Sequence, residues 1–161
     1  MHPMRRQDRM MSREDSIQFL KESSFGVLAM SDGNEPYAIP LNHFLDGDTL
    51  YFHAATEGRK NNILSGNPRV TFVVSEFSGF KDTDSELLCS LGAFFRSVIC
   101  TGHARYIADA AEKARIVTAL TRHLVRDLDV KAPDVTPEQV GRVTILAVDI
   151  ESISGKACLP V

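Results

Sequence analysis

The densest run of chemically capable residues is His53-Ala54-Ala55-Thr56-Glu57-Gly58-Arg59-Lys60. Its small residues let a main chain come close to a ligand, and two cations open what reads as a helix. Backbone donors at a helix start, joined by the forked guanidinium of Arg59 and the point charge of Lys60, suit a phosphate monoester. A solvated strand-to-helix turn accounts for the same residues equally well. The run Pro36-Tyr37-Ala38-Ile39-Pro40-Leu41-Asn42-His43 places two prolines in an apolar strand. Because proline lacks an amide donor, such a strand belongs at an edge or a bulge. Main-chain groups left free beside Pro40, Leu41 and Asn42 could bond the polar edge of a flat heterocycle while Leu41 packs on its face. A functionless edge strand fits as well. In Phe94-Phe95-Arg96-Ser97-Val98, alternation sends Arg96 and Val98 to one side and Phe95 and Ser97 to the other. A hydroxyl and a cation there could reach the same phosphate, or the aromatics are core and Arg96 is solvated. Gly155-Lys156 reads more readily as a turn with a surface lysine than as a ligand site.

These runs need elements to hold them. Ser12 and Asp15 resemble a capping start for a helix through Glu22, with Ile17, Phe19 and Leu20 on its apolar stripe, covering one barrel opening. Strands are expected at Phe25 to Ser31, Pro36 to Leu45 and Leu50 to His53, joined by turns at Asp32-Gly33-Asn34 and Asp46-Gly47-Asp48. A short helix from Arg59 to Ser65 stops at Gly66 and Asn67-Pro68, before a fourth strand at Arg69 to Ser75. Glu76 to Phe94 is expected to be a long functional or mobile loop. Phe95 to Ile107 is a strand, Asp109 to Leu124 a helix, and Val143 to Ile150 the closing strand. The expected fold class is α+β, a six-stranded antiparallel barrel with flanking helices, closed so that few edges are exposed. It forms a single domain over residues 1–161, with 1–11 a flexible arm.

Composition excludes several function classes. A net charge of −3 gives no basic footprint for nucleic acid. No apolar run reaches the length of a membrane-spanning helix, and the start lacks the apolar stretch of a signal peptide, so a cytoplasmic location is expected. Cys89, Cys100 and Cys158 have no clustered spacing, which argues against a disulfide framework or a structural metal. Cys100 reads as a plain buried thiol.

Taken in order, these segments resemble the FMN-binding split barrels related to pyridoxamine 5'-phosphate oxidase, most closely their nitroimidazole-reductase branch. The resemblance rests on Met4-Arg5-Arg6, Gly26-Val27-Leu28-Ala29, Pro36-Tyr37 with Pro40-Leu41-Asn42, Leu50 to His53 through Gly58-Arg59-Lys60, Asn67-Pro68-Arg69-Val70, Arg96-Ser97-Val98 with Gly102, and Ser154-Gly155-Lys156. It implies FMN at the interface of a homodimer, with both subunits contributing to each site. It further implies phosphate contacts from Arg59 and Lys60, an isoalloxazine lining from Pro40, Leu41 and Asn42, and cofactor contacts from Ser97, Val98 and Lys156. His53 matches the branch's active-site histidine and is the implied catalytic side chain, or else it only hydrogen-bonds cofactor or backbone. The implied activity is an oxidoreductase passing electrons to a small electron-poor or nitro-aromatic acceptor. The rivals are a split barrel using deazaflavin or haem, a non-enzymatic FMN module, and a barrel without cofactor.

Overall fold

The computed structural model describes residues 4–81 and 91–160. Helix α1 (Arg13–Glu22) starts at Ser12, whose hydroxyl accepts from the Asp15 amide at 3.0 Å. Strands β1 (Phe25–Asp32) and β2 (Glu35–Asn42) form a hairpin, as do β3 (Phe44–Asp46) and β4 (Thr49–Ala54). Helix α2 (Arg59–Gly66) follows, then β5 (Arg69–Phe80), β6 (Ala93–Tyr106), helix α3 (Ala110–Leu124) and β7 (Thr144–Cys158).

All seven strands belong to one antiparallel sheet in the order β2-β1-β5-β6-β7-β4-β3. Its two edge strands, β2 and β3, are separated by the single residue His43, so the sheet must curl until its edges meet. The result is a barrel split along that seam. Inside lie Leu28, Phe52, Phe72, Val98, Cys100 and Leu146, with Phe19 and Leu20 of α1 and Ile63 and Leu64 of α2 packed against them. A second apolar cluster, Tyr51, Ile107, Ile116, Ile145 and Ala147, includes the buried face of α3. The middle of β4, Leu50 to Phe52, and the start of β7, Ile145 to Val148, are therefore buried on both faces and read as unbroken apolar runs.

Four expectations are corrected. The strands number seven among the described residues, because Pro36 to Leu45 is two strands. His43 leaves the sheet between them: its amide bonds the Ser24 carbonyl, its ring Nε2 lies 3.0 Å from the Leu20 carbonyl, and its side chain is fully buried. The expected loop at Glu76 to Phe94 is strand at both ends, with β5 running through Phe80 across a bulge at Phe77 and Gly79, and β6 beginning at Ala93. Asp82 to Ser90, including Cys89, lies outside the described residues. The closing strand continues to Cys158, so Gly155 and Lys156 sit within β7 and pair with Val98 and Ser97. Residues 4–11, expected as a flexible arm, instead contain one 3-10 turn (Gln7–Arg9) and dock on β7, where Met10 bridges to Lys156 and the Met11 amide bonds the Gly155 carbonyl at 3.0 Å.

Candidate functional site

The strand-to-helix turn at the start of α2 stands where the sequence placed it. Gly58 adopts φ +116°, a conformation costly for residues with a side chain, and brings the chain sharply into the helix. No side chain caps α2, and its first recorded main-chain bonds run from the Asn61 and Asn62 amides to the Gly58 carbonyl. The amides of Arg59 and Lys60 are thus first-turn donors without an intrahelical acceptor.

The two cations diverge from this point. Arg59 reaches toward β2, donating to Glu35 at 2.6 Å with its guanidinium 4.6 Å from the Tyr37 ring centre, and the Glu35 bond raises its pKa. Lys60 goes the other way and is only 8% exposed. Its Nζ donates to the neutral Asn61 Oδ1 at 2.6 Å and lies 5.9 Å from the Tyr106 ring centre, while the Tyr106 hydroxyl donates to the same Asn61 oxygen. Burial pushes the Lys60 pKa down. A cavity of about 310 Å³, lined by Thr56, Asn61, Tyr106 and Lys113 among others, opens beside this group.

Pro40, Leu41 and Asn42 lie on the edge strand β2, as prolines in a strand require. Leu41, however, packs against the barrel core, so its side chain is not the one that could lie on a flat ring. Alternation turns Pro40 and Asn42 outward instead. Val98 is fully buried in the same core, and its side chain is unavailable to a cofactor. Arg96 is already paired with acids: its guanidinium donates to Glu22 at 2.9 Å and to Glu76 at 2.6 Å over the Phe19 ring. Cys100 is buried as expected, and burial pushes its thiol up to about 12. His53, exposed near the end of β4, pairs with Ile145 through its main chain. Among the described residues its ring makes no hydrogen bond.

Ser97 and Lys156 are cross-strand partners on β6 and β7 and line a larger cavity of about 570 Å³. Its other walls include Met4, Met10 and Met11 of the segment expected to be a flexible arm, Ile99 of an expected strand, and Ile153, beyond the expected end of the closing strand. One register line across the outer face of the sheet runs Pro40, Val27, Val73, Ile99, Ser154. Val27 is 40% exposed and Ile99 44%, so this face carries apolar side chains with no cover among the described residues. Along that line β2 and β6 are three strand spacings apart, roughly 14 Å following the sheet. Pro40 and Asn42 therefore share the outer face with Ser97 and Lys156 without forming one compact cluster with them.

Among the described residues, no helix is long and apolar enough to cross a membrane. A search of curated proteins returned no match. Among solved structures, the fold is shared with a proposed 5-nitroimidazole antibiotic resistance protein from Bacteroides thetaiotaomicron, at 23% identity and TM-score 0.74, over 91% of this chain and 85% of that one. It is shared with a flavocytochrome from Azotobacter vinelandii, at 21% identity and TM-score 0.81, over 99% and 73%. An FAD and haem binding protein from Mycobacterium smegmatis matches at 22% identity and TM-score 0.77, over 95% and 76%. The family model described as pyridoxamine 5'-phosphate oxidase matches residues 12–157, nearly the whole chain, and the protein belongs to that family.

Proposed function

We propose that the protein binds a flavin, FMN in the first instance, through its phosphate at the start of α2, and works as a homodimeric oxidoreductase on small electron-poor acceptors. The observation that carries this reading is Lys60. A buried ammonium whose recorded partner is a neutral amide, beside first-turn amide donors, is a cation prepared for an anion that the described residues do not supply. Arg59, whose bond to the exposed Glu35 is replaceable, adds the second charge. Solved relatives described as binding FAD, or FAD and haem, support a flavin as the class of cofactor.

Bound there, the flavin supplies the redox chemistry. The chain's own groups do the positioning: Pro40 and Asn42, with the free main-chain edge of β2, would bond the polar edge of the ring system. His53 would hold or deliver a proton at its exposed ring, at the end of the strand that leads into the phosphate turn. Ser97 lies too far across the face to join this cluster directly, and the exposed line through Val27 and Ile99 suits a second copy that brings Ser97 beside the ring, with Lys156 beyond its edge. On this reading each flavin is held by two protomers.

The test is spectroscopic and hydrodynamic. Purified protein titrated with FMN should show a perturbed flavin spectrum and sediment at about twice 17.8 kDa, and dilution to monomer should release the flavin. A haem or deazaflavin spectrum on the purified protein, or tight FMN retention by a monomer, would overturn it. For His53, His53→Ala should keep FMN and slow single-turnover oxidation by a nitro-aromatic about 10²-fold. An unchanged rate would leave His53 a contact residue.

A further inference from the structure

We propose that the methionine-lined cavity between the N-terminal segment and β7 binds an apolar organic monoanion of the aryl carboxylate class, with Lys156 as its charge partner. The proposal rests on the flavin reading only in making this compound the electron acceptor. The cavity, at about 570 Å³, is large enough for a small organic molecule. Its walls are mostly apolar, and Met4, Met10 and Met11 supply deformable, polarisable thioethers that suit a flat aromatic body.

The charge pattern narrows the occupant. No acidic residue lines the cavity among the described residues, and two cations do. Arg13 is already neutralised by Asp48, to which it donates at 2.6 Å. Lys156 is not: its ammonium lies 5.7 Å from the Phe95 ring centre, and no carboxylate pairs with it among the described residues. One uncompensated positive charge at the edge of an apolar chamber matches a single carboxylate on an apolar body better than a dianionic phosphate, for which the α2 start is the better site.

The chamber is also built and anchored. A Cβ placed on Gly155 would fall 2.2 Å from Ser16 Oγ and 2.9 Å from Met11 Cβ, so only glycine lets the start of α1 and Met11 close so tightly over β7. The Met11 amide to Gly155 carbonyl bond and the Met10 bridge to Lys156 hold that cover in place. Both Ser97 and Ile99 extend the cavity onto the outer sheet face, where the proposed second protomer would bring a flavin.

The experiment is calorimetric titration of the full chain, flavin-free and FMN-loaded, with 4-nitrobenzoate and with its neutral isostere 4-nitrobenzamide. Flavin-free wild type should bind the carboxylate at least about tenfold more tightly, the worth of one charge-assisted hydrogen bond. Lys156→Gln should abolish that preference with the melting temperature unchanged, and Lys156→Arg should restore most of it. FMN loading should leave carboxylate binding intact. Equal affinity for the two compounds, an unaltered preference in Lys156→Gln, or competition between FMN and 4-nitrobenzoate would overturn the proposal. The last result would assign the chamber to the flavin itself. Because binding is read on flavin-free protein, failure of the flavin reading shows separately, as absence of FMN binding.

Discussion

Arg96 lies over the Phe19 ring with its guanidinium bonded to Glu22 and Glu76, whereas Lys60, more deeply buried, is bonded to the neutral Asn61. Both are long cations, and both stand in segments that the sequence marked as able to reach a phosphate. The difference lies in what neutralises them. Arg96 finds two carboxylates, its pKa is raised chiefly by the bond to Glu76, and Gln18 and Arg96 together hold the Glu22 carboxyl below its ordinary value. Lys60 carries the desolvation cost of burial with no acid to offset it, and its pKa falls. A fold retains such an uncompensated charge at a cost to its own stability, which is reason to look for an outside anion at Lys60 and not at Arg96.

The largest effect belongs to a third group, a buried histidine. His43 is fully buried, with Nε2 beside the Leu20 carbonyl and Nδ1 without a partner, and the groups facing it are the Phe72 ring, His123 and Arg126. Only the Leu20 carbonyl favours its protonated form, and burial outweighs that bond and pushes its pKa down to about 4. A histidine with a depressed folded pKa is held neutral by the fold, so its stabilising contribution is present above pH 6.5 and drains away as pH falls from there toward 4. Two to three units correspond to about 3 kcal/mol. Denaturant melts at pH 7 and pH 4 should differ by that much more in wild type than in His43→Leu. A His43→Leu variant with the same acid loss as wild type would remove His43 from the account.

Next in size is Arg96→Met. Taking away the guanidinium uncovers Phe19 and leaves two half-exposed carboxylates near each other, which should cost about 1 to 2 kcal/mol in denaturant melts while leaving FMN affinity unchanged. Lost FMN affinity at constant stability would reverse the roles assigned to the two cations. Smaller, and opposite in sign, is the effect expected of Lys60→Met on the flavin-free protein. Removing a buried charge that has no acidic partner should raise stability by about 1 kcal/mol. A destabilised Lys60→Met would mean that the ammonium already has a compensating partner in the fold.

This contrast was only half legible in the sequence. The turn chemistry was readable: Gly33 and Gly47 adopt positive φ in the hairpin turns, and Gly58, Arg59 and Lys60 stand where strand meets helix. Alternation also separated Arg96 and Val98 from Ser97 correctly. What neutralises Arg96 was not readable, because Glu22 and Glu76 are 74 and 20 residues away in the chain and meet it only through the barrel. Leu41 was assigned to a ligand face because its direction depends on register against β1, which the local run Ile39-Pro40-Leu41 does not disclose. His43 hid the break between β2 and β3 because a polar residue in an alternating run looks like an exposed strand position. The far half of β7 looked like a turn because Ser152, Ser154 and Lys156 alternate with Ile153 and Gly155, a pattern too polar to announce a strand until the face of β6 beside it is known. The methionines of the N-terminal segment were visible but meant nothing until that segment was seen against Gly155.

The measurement that bears most directly on the central claim is the affinity of Lys60→Met for FMN set against its affinity for riboflavin, which lacks the phosphate. If Lys60 waits for that phosphate, the variant should lose at least about tenfold in FMN affinity, the scale of one charge-assisted hydrogen bond, while riboflavin binds as it does to wild type. Equal losses for the two flavins, or no loss for either, would contradict the assignment of the α2 start as a phosphate site.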